Sequence, residues 1–335
     1  MPNRIDTAAK KQPVSTGLEM HMANDLMTNA DLKHAFVVNY GTEIPASVEN
    51  IPAPVLDEIR IVELWQGMFE NVNDDQNDWI TYHNEQYLIA CAPTQALTHT
   101  TIDKATESAY TQIFKMTETM GFPYLLRTWN YIPHITKISA GENNNYQLFC
   151  SGRAYAYNNF PRDHIYPAAT VVGTQGKEIK SYCIASKTPG LGVENPQQVS
   201  AFLYPPEYSK DPPLFSRALI HRNDTQEIIF VSGTASILGH STLHEGDVLK
   251  QLEVCVDNIR RLIKTAANEN QCSAINLADM TQLKVYVKNP GDFTSVRNHL
   301  KRIIGGISTT CFIQADLCRD NLLVEIEALA IQATS

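Results

Sequence analysis

One order of helices and strands occurs twice along this chain, and this internal repeat limits the possible fold more than any other feature. Three segments of the first half have counterparts in the same order in the second half: LLRTWNYI with TQLKVYV, YPAATVVG with TTCFIQAD, and KEIKSYCIA with LLVEIEALA. A helical pattern precedes the first segment of each set. Because such elements bury their apolar faces by layering, the sequence predicts an α+β protein of two tandem units. Each unit is expected to be a mixed sheet with helices packed on one face.

The spacing of apolar residues predicts where these elements begin and end. The first half is predicted to contain a helix at 106–120, ended by Gly121, and strands at 124–132, 146–156, 170–172 and 179–185. The second half is predicted to contain strands at 227–233, 283–287, 311–317 and 322–329, and helices at 247–264 and 293–304. Residues 1–30 are polar and irregular, which predicts a flexible tail. The two units are therefore predicted at 31–205 and 206–335.

The charge and the hydropathy pattern argue against two classes of partner. The 335 residues carry a formal net charge of -9, whereas nucleic acids and anionic membranes attract positively charged surfaces. No segment reaches the roughly 18 apolar residues that span a bilayer, and the first residues show no export signal. We therefore expect a cytoplasmic protein that acts on a small molecule.

The sequence lacks the motifs of the common cofactor and metal sites. It contains no GxGxxG, no Walker loop and no GxSxG elbow, and its seven cysteines form no CxxC pair, as expected of reduced thiols. His240 and His244 are four residues apart, beside Glu245 and Asp247, which suggests zinc. Their spacing matches no complete ligand set, and the same segment fits the start of a helix. We expect neither a metal nor a cofactor.

Two acidic residues alternate with apolar ones in the last predicted strand. The period of two places Glu325 and Glu327 on one face of that strand, opposite Val324 and Ile326. A solvated acidic face is one interpretation of this pattern. The other is a carboxyl group held beside apolar residues, whose pKa would be raised enough for it to act as a general acid near neutral pH.

Three arginines lie in apolar or aromatic surroundings, namely Arg127, Arg153 and Arg217. A buried guanidinium requires an anionic partner, because an uncompensated charge outside water is costly. An internal salt bridge would satisfy any one of them. Three in such settings suggest a pocket for planar carboxylates, which guanidinium groups bind through two parallel hydrogen bonds.

The segment from Phe215 to the C-terminus resembles the RidA (YjgF) family, which has a chorismate mutase-like fold, and the chain as a whole resembles the chorismatases, which are built on that fold. The motifs that carry the second resemblance span residues 127–328 in the family's order: RTWNYIPHI, SGRAYAY, YPAATVVGT, ENPQQVSAFLYPPEYSKDPPLFSRA, VSGTASILGHST and QADLCRDNLLVEIEA. The resemblance implies cofactor-free loss of pyruvate from chorismate. The RidA-like unit at 206–335 would carry the catalytic acid, and the unit at 31–205 would be a diverged copy.

The resemblance also implies roles for individual residues. Glu325 would be the general acid that protonates the enol-ether methylene of chorismate. The substrate-binding positions correspond to Arg153, Tyr155, Tyr204, Arg217 and Gln314. Arg127 is assigned to the same group, with bracing of the pocket as its alternative role.

Cys318 would influence the product, because a cysteine seven residues before the acid is associated with the branch of the family that forms 3-hydroxybenzoate. A small buried residue chosen for packing is the alternative interpretation. We expect 3-hydroxybenzoate, with 4-hydroxybenzoate as a possible co-product. The hydrolase branch, which forms a dihydroxycyclohexadiene carboxylate, is the alternative.

Two further alternatives are an imine deaminase of the RidA type and a non-catalytic binding protein. The deaminases carry an arginine where this chain has Thr309 and Thr310, which disfavours the first. Lys180 aligns with Glu325 in the repeat, so we expect one active site per chain, between the two units or at a subunit border. The sequence leaves open whether the protein is a monomer or a homotrimer.

Overall fold

The computed structural model describes residues 17–23, 35–40, 49–57, 62–66, 69–72, 79–93, 95–160, 165–270, 272, 275–306 and 310–334. Most of the predicted tail and Thr309 lie outside these residues. None of the helices within the described residues is both long enough and apolar enough to cross a lipid bilayer.

The α-helices of the described residues come in two pairs, one pair in each half of the chain. They are α1 (Ile102–Thr119), α2 (Asn145–Asn159), α3 (Val248–Asn270) and α4 (Phe293–Ile304). Helix α4 has the predicted bounds. Helix α2 replaces the strand that was predicted at 146–156, so that prediction was wrong. It begins with a capping box, in which Asn144 Oδ1 accepts from the Gln147 backbone amide and Gln147 Oε1 accepts from the Asn144 amide, both at 2.9 Å.

In the part of the chain that the structure describes, the strands form three sheets and two short hairpins. The first four strands form one sheet: β1 (Glu19–Ala23), β2 (Ala35–Tyr40), β3 (Glu49–Ile51) and β4 (Val62–Gln66). The next nine include a seven-stranded sheet and the hairpin β10–β11: β5 (Glu70–Asn71), β6 (Ile80–His83), β7 (Tyr87–Cys91), β8 (Gln95–Ala96), β9 (Tyr124–Pro133), β10 (Ile138–Ala140), β11 (Asn143–Asn144), β12 (Ala168–Thr174) and β13 (Glu178–Ser186). The last eight include a six-stranded sheet and the hairpin β17–β18: β14 (Leu191–Val193), β15 (Ala218–Arg222), β16 (Gln226–Ala235), β17 (Ile237–Leu238), β18 (Ser241–Thr242), β19 (Gln282–Val287), β20 (Thr310–Gln314) and β21 (Val324–Ala333).

The two large sheets have the same topology. Their strand orders are β12-β9-β13-β7-β6-β5 and β20-β19-β21-β16-β15-β14, so six strands of the first sheet have counterparts at the same places in the second, and of the described strands only β8, which pairs with β13, has none. At one edge of each sheet the last two strands are parallel, β9 with β12 and β19 with β20. Each parallel pair is joined through a helix, α2 or α4, as parallel strands require. The predicted α+β fold with its internal repeat is confirmed.

The register of the strands defines which residues of the two units are equivalent. Lys180 pairs with Tyr131 in the first sheet, and Glu325 pairs with Tyr286 at the same place in the second. Two residues further along, Tyr182 pairs with Trp129, whereas Glu327 pairs with Lys284. The correspondence of Lys180 with Glu325, inferred from the sequence repeat, holds in the structure.

Each large sheet carries its two helices on one face and contributes its other face to a shared core. Helix α3 buries Leu252, Val256 and Ile259 against the second sheet, and each such side chain contributes roughly 1.5–3 kcal/mol. The shared core contains Trp129 and Tyr182 from the first sheet, Tyr286 and Leu329 from the second, and Trp65 from the four-stranded sheet. The three sheets thus meet around one interior.

The observed sheets differ from the predicted boundaries at two places. Glu19–Ala23, within the predicted tail, forms a strand that pairs with β4. Leu191–Val193, within the predicted first unit, pairs with β15 of the second sheet. The division between the sheets therefore lies before residue 191, because β14 gains its backbone partners from the second sheet.

Candidate active site

A cavity of about 370 Å³ lies where the edge of the first sheet meets the second. Strand β12 approaches β16 there, and the Ala169 backbone amide donates to Ser232 Oγ at 2.8 Å. Both units line the cavity. The first unit contributes Asn144, Tyr146, Arg153, Ala169 and Val171. The residues after the first sheet contribute Tyr204, Glu207, Tyr208, Ser209, Pro213, Phe215, Arg217, Gly233, Ala235, Ile237, Cys318, Arg319, Asp320, Asn321 and Glu325. Its volume falls in the usual range of small-molecule sites.

Glu325 projects from β21 into this cavity and is 4% exposed. Glu325 pairs with Ala235 of β16, and its carboxyl group lies close to Gly233 of the same strand, where a Cβ atom would lie 2.0 Å from Glu325 Oε1. A side chain at position 233 would therefore force the carboxyl group to move. Within the described residues, no hydrogen-bond donor satisfies this carboxyl.

Glu327, two residues further along the same strand, is surrounded by donors. Its Oε1 lies 2.7 Å from Lys284 Nζ and accepts from Trp129 Nε1 at 2.8 Å. Its Oε2 accepts from Arg127 Nη2 at 2.9 Å and from the Tyr286 hydroxyl at 3.2 Å. This carboxylate is bound within the protein and is not available to a ligand.

The two carboxyl groups therefore have opposite electrostatic environments. Burial, followed by the negative charge of Glu327, raises the pKa of Glu325 to about 8, although Arg127 and Arg217 oppose the change. Burial alone would also raise the pKa of Glu327, but Lys284 and Arg127 lower it to about 2. At neutral pH Glu325 is protonated and Glu327 is ionised. This is the division of roles expected of an acid that donates a proton and a carboxylate that does not.

Arg153 enters the cavity from helix α2 and is 1% exposed. Its guanidinium lies over the rings of Phe149 and Tyr110, at 4.7 and 5.8 Å from their centroids. Its Nε and Nη2 atoms have no hydrogen-bond partner among the described residues. A buried guanidinium with free donors favours an anionic ligand at this wall.

A second guanidinium lines the opposite unit's side of the cavity. Arg217 Nη2 donates to the Tyr204 hydroxyl at 2.7 Å and to the Val199 carbonyl at 3.0 Å, and its Nε has no partner among the described residues. Next to it, Arg319 lies 3.8 Å from the centroid of the Tyr208 ring. Arginine and tyrosine thus alternate along this wall, and the cavity combines one neutral acid with cationic groups suited to carboxylates.

The sequence of this chain is similar to those of several known proteins. Residues 63–185 match the family model of the N-terminal domain of FkbO/Hyg5-like chorismatases, and residues 214–332 match that of endoribonuclease L-PSP. A 3-hydroxybenzoate synthase from Streptomyces hygroscopicus is 33% identical over 294 residues, which cover 84% of each chain. A chorismatase from Streptomyces rapamycinicus is 38% identical over 230 residues, which cover 67% of this chain and 69% of that protein.

This chain is a member of the chorismatase family. A crystal structure of a chorismatase superposes with a TM-score of 0.84 at 28% identity, covering 94% of this chain and 98% of the other. The family assignment and the fold expected from the sequence motifs are therefore both confirmed.

Five of the eight predicted site residues of this chorismatase line the cavity: Glu325, Cys318, Arg153, Tyr204 and Arg217. Burial, together with the neighbouring Glu325, raises the pKa of the Cys318 thiol to about 12, despite the opposing charge of Arg319. The thiol therefore stays protonated and offers a small, weakly polar surface beside the acid.

Tyr155 does not line the cavity, so its position does not support its predicted role. It is 52% exposed, with Lys104 Nζ 5.2 Å from its ring centroid. The assignment of Tyr155 came from the family resemblance, and it was compatible with the strand predicted at 146–156, where residues two apart share a face. In helix α2 residues two apart do not share a face, so Arg153 points into the cavity and Tyr155 points to the solvent.

Gln314 and Arg127 also lie away from the cavity lining. Gln314 ends the edge strand β20, two strands from Glu325, or about 10 Å across the sheet, and its backbone amide donates to the Pro54 carbonyl at 2.7 Å. Arg127 forms the internal salt bridge with Glu327. Of its two proposed roles, bracing is the one that this contact supports.

Sequence reasoning missed Tyr208, Arg319 and Gly233 as cavity residues. Arg319 follows Cys318 directly, and Tyr208 lies in the same proline-rich motif as Tyr204, so both were within reach of a motif-based prediction. Gly233 gave no signal, because its importance arises from the cross-strand approach of Glu325.

The two histidines that suggested zinc have other surroundings in the structure. His240 Nδ1 lies 3.0 Å from the Tyr208 hydroxyl, and His244 lies in a turn with φ +55° before α3 begins. Within the described ranges, no group of three or more His, Cys, Asp or Glu side chains is placed to hold a metal ion. Asp247 accepts from the Lys250 backbone amide at 3.1 Å, in keeping with the start of a helix.

Proposed function

We propose that this chorismatase cleaves chorismate into pyruvate and 3-hydroxybenzoate, with Glu325 as the general acid. The observation that carries the proposal is a buried, protonated carboxyl group that opens onto a cavity with an unpaired guanidinium, Arg153. The name of the relative from Streptomyces hygroscopicus, 3-hydroxybenzoate synthase, supports the choice of product.

The cavity offers groups that match those of chorismate. The substrate carries two carboxylates, a ring hydroxyl and an enol ether. Arg153 has two free donors, and Arg217 has one, so these residues are assigned to the carboxylates. Tyr204 is held in place by Arg217 and is assigned to polar contacts with the substrate. Such an arrangement fixes the methylene carbon of the enol ether near Glu325.

The reaction begins when Glu325 transfers its proton to the methylene carbon, which becomes the methyl group of pyruvate. The resulting oxocarbenium ion is stabilised by the carboxylate that Glu325 has become. The ring hydroxyl oxygen then attacks the ring carbon that bears the ether. The ether bond breaks with its electron pair on the oxygen of pyruvate, and the hydroxyl proton returns to Glu325.

The ring product of this step is an epoxide. Its opening leaves the oxygen on the carbon that bore the ether, and loss of the hydrogen from that carbon restores aromaticity. Chorismate is thereby divided into pyruvate and 3-hydroxybenzoate without consuming water or any other reactant. Cys318 is assigned to the exclusion of water from the ring, because its small protonated thiol lines the cavity beside Glu325.

The proposed location is the cytoplasm. All seven cysteines are in the thiol form, and six of them are buried. Reduced cysteines in this number fit a reducing compartment.

The test is to incubate the purified protein with chorismate alone, in water enriched in oxygen-18, and to identify the products by liquid chromatography and mass spectrometry. We expect pyruvate and 3-hydroxybenzoate in equal amounts, with no heavy oxygen in the aromatic product. A dihydroxycyclohexadiene carboxylate would instead indicate the hydrolase alternative. The proposal would be overturned if the protein does not turn over chorismate. Release of ammonia from 2-aminoacrylate would then indicate an imine deaminase, and binding without turnover would indicate a binding protein.

A further inference from the structure

A cluster of buried charged side chains lies next to Glu325 and plays no part in the steps described above. It consists of Arg127, Lys284, Glu327 and Glu63, all of which are buried. Lys284 Nζ lies 2.7 Å from Glu327 Oε1 and 2.8 Å from Glu63 Oε1. Two cations and two anions are thus held without contact with the solvent.

Each of the three sheets contributes to this cluster. Glu63 comes from β4, Arg127 from β9, and Lys284 and Glu327 from the paired strands β19 and β21. The Tyr40 hydroxyl extends the network, since it donates to Glu63 Oε1 at 2.7 Å. Removing ions from water is costly unless they gain partners, so this arrangement calls for an explanation beyond stability.

Glu327 is the member nearest to Glu325 along the chain. Alternate residues of a strand share a face and lie roughly 6.6 Å apart. Four donors hold Glu327 as an anion, whereas no donor in the described part of the chain reaches the Glu325 carboxyl. A fixed negative charge at this distance, in a site with little solvent, opposes a second negative charge on Glu325.

We propose that Glu327, held by Arg127 and Lys284, is a positioning residue. It keeps Glu325 in its acid form by fixing a negative charge two residues away on the same face of β21. This inference rests on the proposed function, in which Glu325 donates a proton. Glu327 never touches the substrate, and it acts only through Glu325.

Other charged or titratable groups also face Glu325 from the elements packed around it. They are Arg127 from β9, Arg153 from α2, Arg217 from the segment before β15, Tyr286 from β19, Cys255 from α3, and Cys318 and Arg319 from the segment between β20 and β21. Arg127 and Arg217 favour the ionised form of Glu325, whereas Glu327 disfavours it. When Glu327 is removed, its charge no longer opposes the effect of Arg127 and Arg217, so the pKa of Glu325 is expected to fall.

The first test compares Glu327→Gln with the wild-type enzyme in the pH dependence of kcat. Activity requires protonated Glu325, so it falls as the pH rises through the pKa of this residue, about 8. In Glu327→Gln we expect the falling limb to move to lower pH by about one to two pH units, from Coulomb's law at an effective dielectric constant of about 20.

Glu63→Gln is the matched control. It also removes a buried carboxylate that is paired with Lys284, but one that belongs to another sheet. We expect its falling limb to move to lower pH by a smaller amount, about one pH unit or less, because this charge lies farther from Glu325 than the charge of Glu327 does. A loss of activity without movement of the limb in Glu327→Gln, or an equal movement in both variants, would overturn the inference.

A second measurement separates this inference from the proposed function. Carbon-13 NMR of labelled glutamate side chains follows the titration of Glu325 without any substrate, and its signal is assigned by its loss in Glu325→Gln. The midpoint should fall in Glu327→Gln whether or not chorismate is the substrate. If Glu327→Gln does not fold, the charge-balanced double variant Glu327→Gln/Lys284→Met replaces it, with a smaller movement in the same direction. An unchanged midpoint in that variant refutes the role of Glu327.

Discussion

The two large sheets of this chorismatase share one topology but carry different chemistry at equivalent positions. Where the first sheet pairs Lys180 with Tyr131, the second pairs Glu325 with Tyr286. Where the first stacks Tyr182 on Trp129, with ring centroids 4.6 Å apart, the second has Glu327 beside Lys284. The repeated topology therefore fixes where side chains lie. The residues at a few register positions decide whether a given place is occupied by a core side chain or by an acidic group.

The largest effect that this comparison predicts comes from replacing the acid and its counterpart in the same way. Glu325→Gln keeps the shape of the side chain but removes the transferable proton, so kcat should fall by about 10²- to 10⁴-fold while chorismate still binds. Lys180→Gln, at the equivalent position of the first sheet, should leave kcat unchanged. Steady-state kinetics and calorimetric binding measure both variants. Equal losses in the two would show that the sheets do not differ in function as described.

The sequence was sufficient to predict the repeat and the face of β21 that carries both carboxyl groups. Period-two alternation gives the orientation of Glu325 and Glu327 directly. It does not give their partners, because Arg127 lies 200 residues away from Glu327 in the chain. Only the folded sheets show that Glu327 is the paired anion and Glu325 the free acid.

Helix α2 shows why part of the site could not be predicted. Its SGRAYAY segment alternates small or polar residues with aromatic ones, a pattern typical of strands. The capping box at Asn144 and Gln147 is the local signal for a helix. The predicted strand placed Arg153 and Tyr155 on one face, whereas the helix separates them. The four-stranded sheet was missed because its strands are short and gain their stability from the shared core.

A smaller effect concerns the helices of the two units. Helix α4 buries apolar side chains, Val296, Leu300 and Ile304, whereas its counterpart α2 buries Arg153. Arg153→Met should therefore raise KM for chorismate by about 10²-fold, since a charged hydrogen bond contributes roughly 1.5–3 kcal/mol. The same variant should be more stable than the wild type without substrate, because it removes an unpaired buried charge.

The control for Arg153→Met is Tyr155→Phe, on the exposed face of the same helix. It should leave both KM and the melting temperature unchanged. A fall in the melting temperature of Arg153→Met would mean that the guanidinium has an internal anionic partner, and its assignment to the substrate would then fail.

The segments that join the last two strands of each sheet also differ. Residues 175–177 connect β12 to β13, whereas the longer segment 315–323 connects β20 to β21 and carries Cys318 and Arg319. Cys318→Ala should change turnover by less than about tenfold, because packing is nearly conserved, but should shift the product away from 3-hydroxybenzoate. Chromatography of the aromatic and cyclohexadiene products measures the ratio. An unchanged ratio would remove Cys318 from the control of the product.

The smallest effect is on stability, and it follows from the raised pKa of Glu325. The pKa is about 8 in the folded chain, above the ordinary value of 4.5, so the folded state binds this proton more tightly than the unfolded state does. The resulting stabilisation is complete below about pH 4.5 and is lost as the pH rises through 8. Glu325→Gln cannot ionise, so it should melt at the same temperature as the wild type at pH 5 but at least about 3 °C higher at pH 9. Lys180→Gln should show no such divergence, and a constant difference between Glu325→Gln and the wild type at both pH values would mean that Glu325 is already ionised at pH 5.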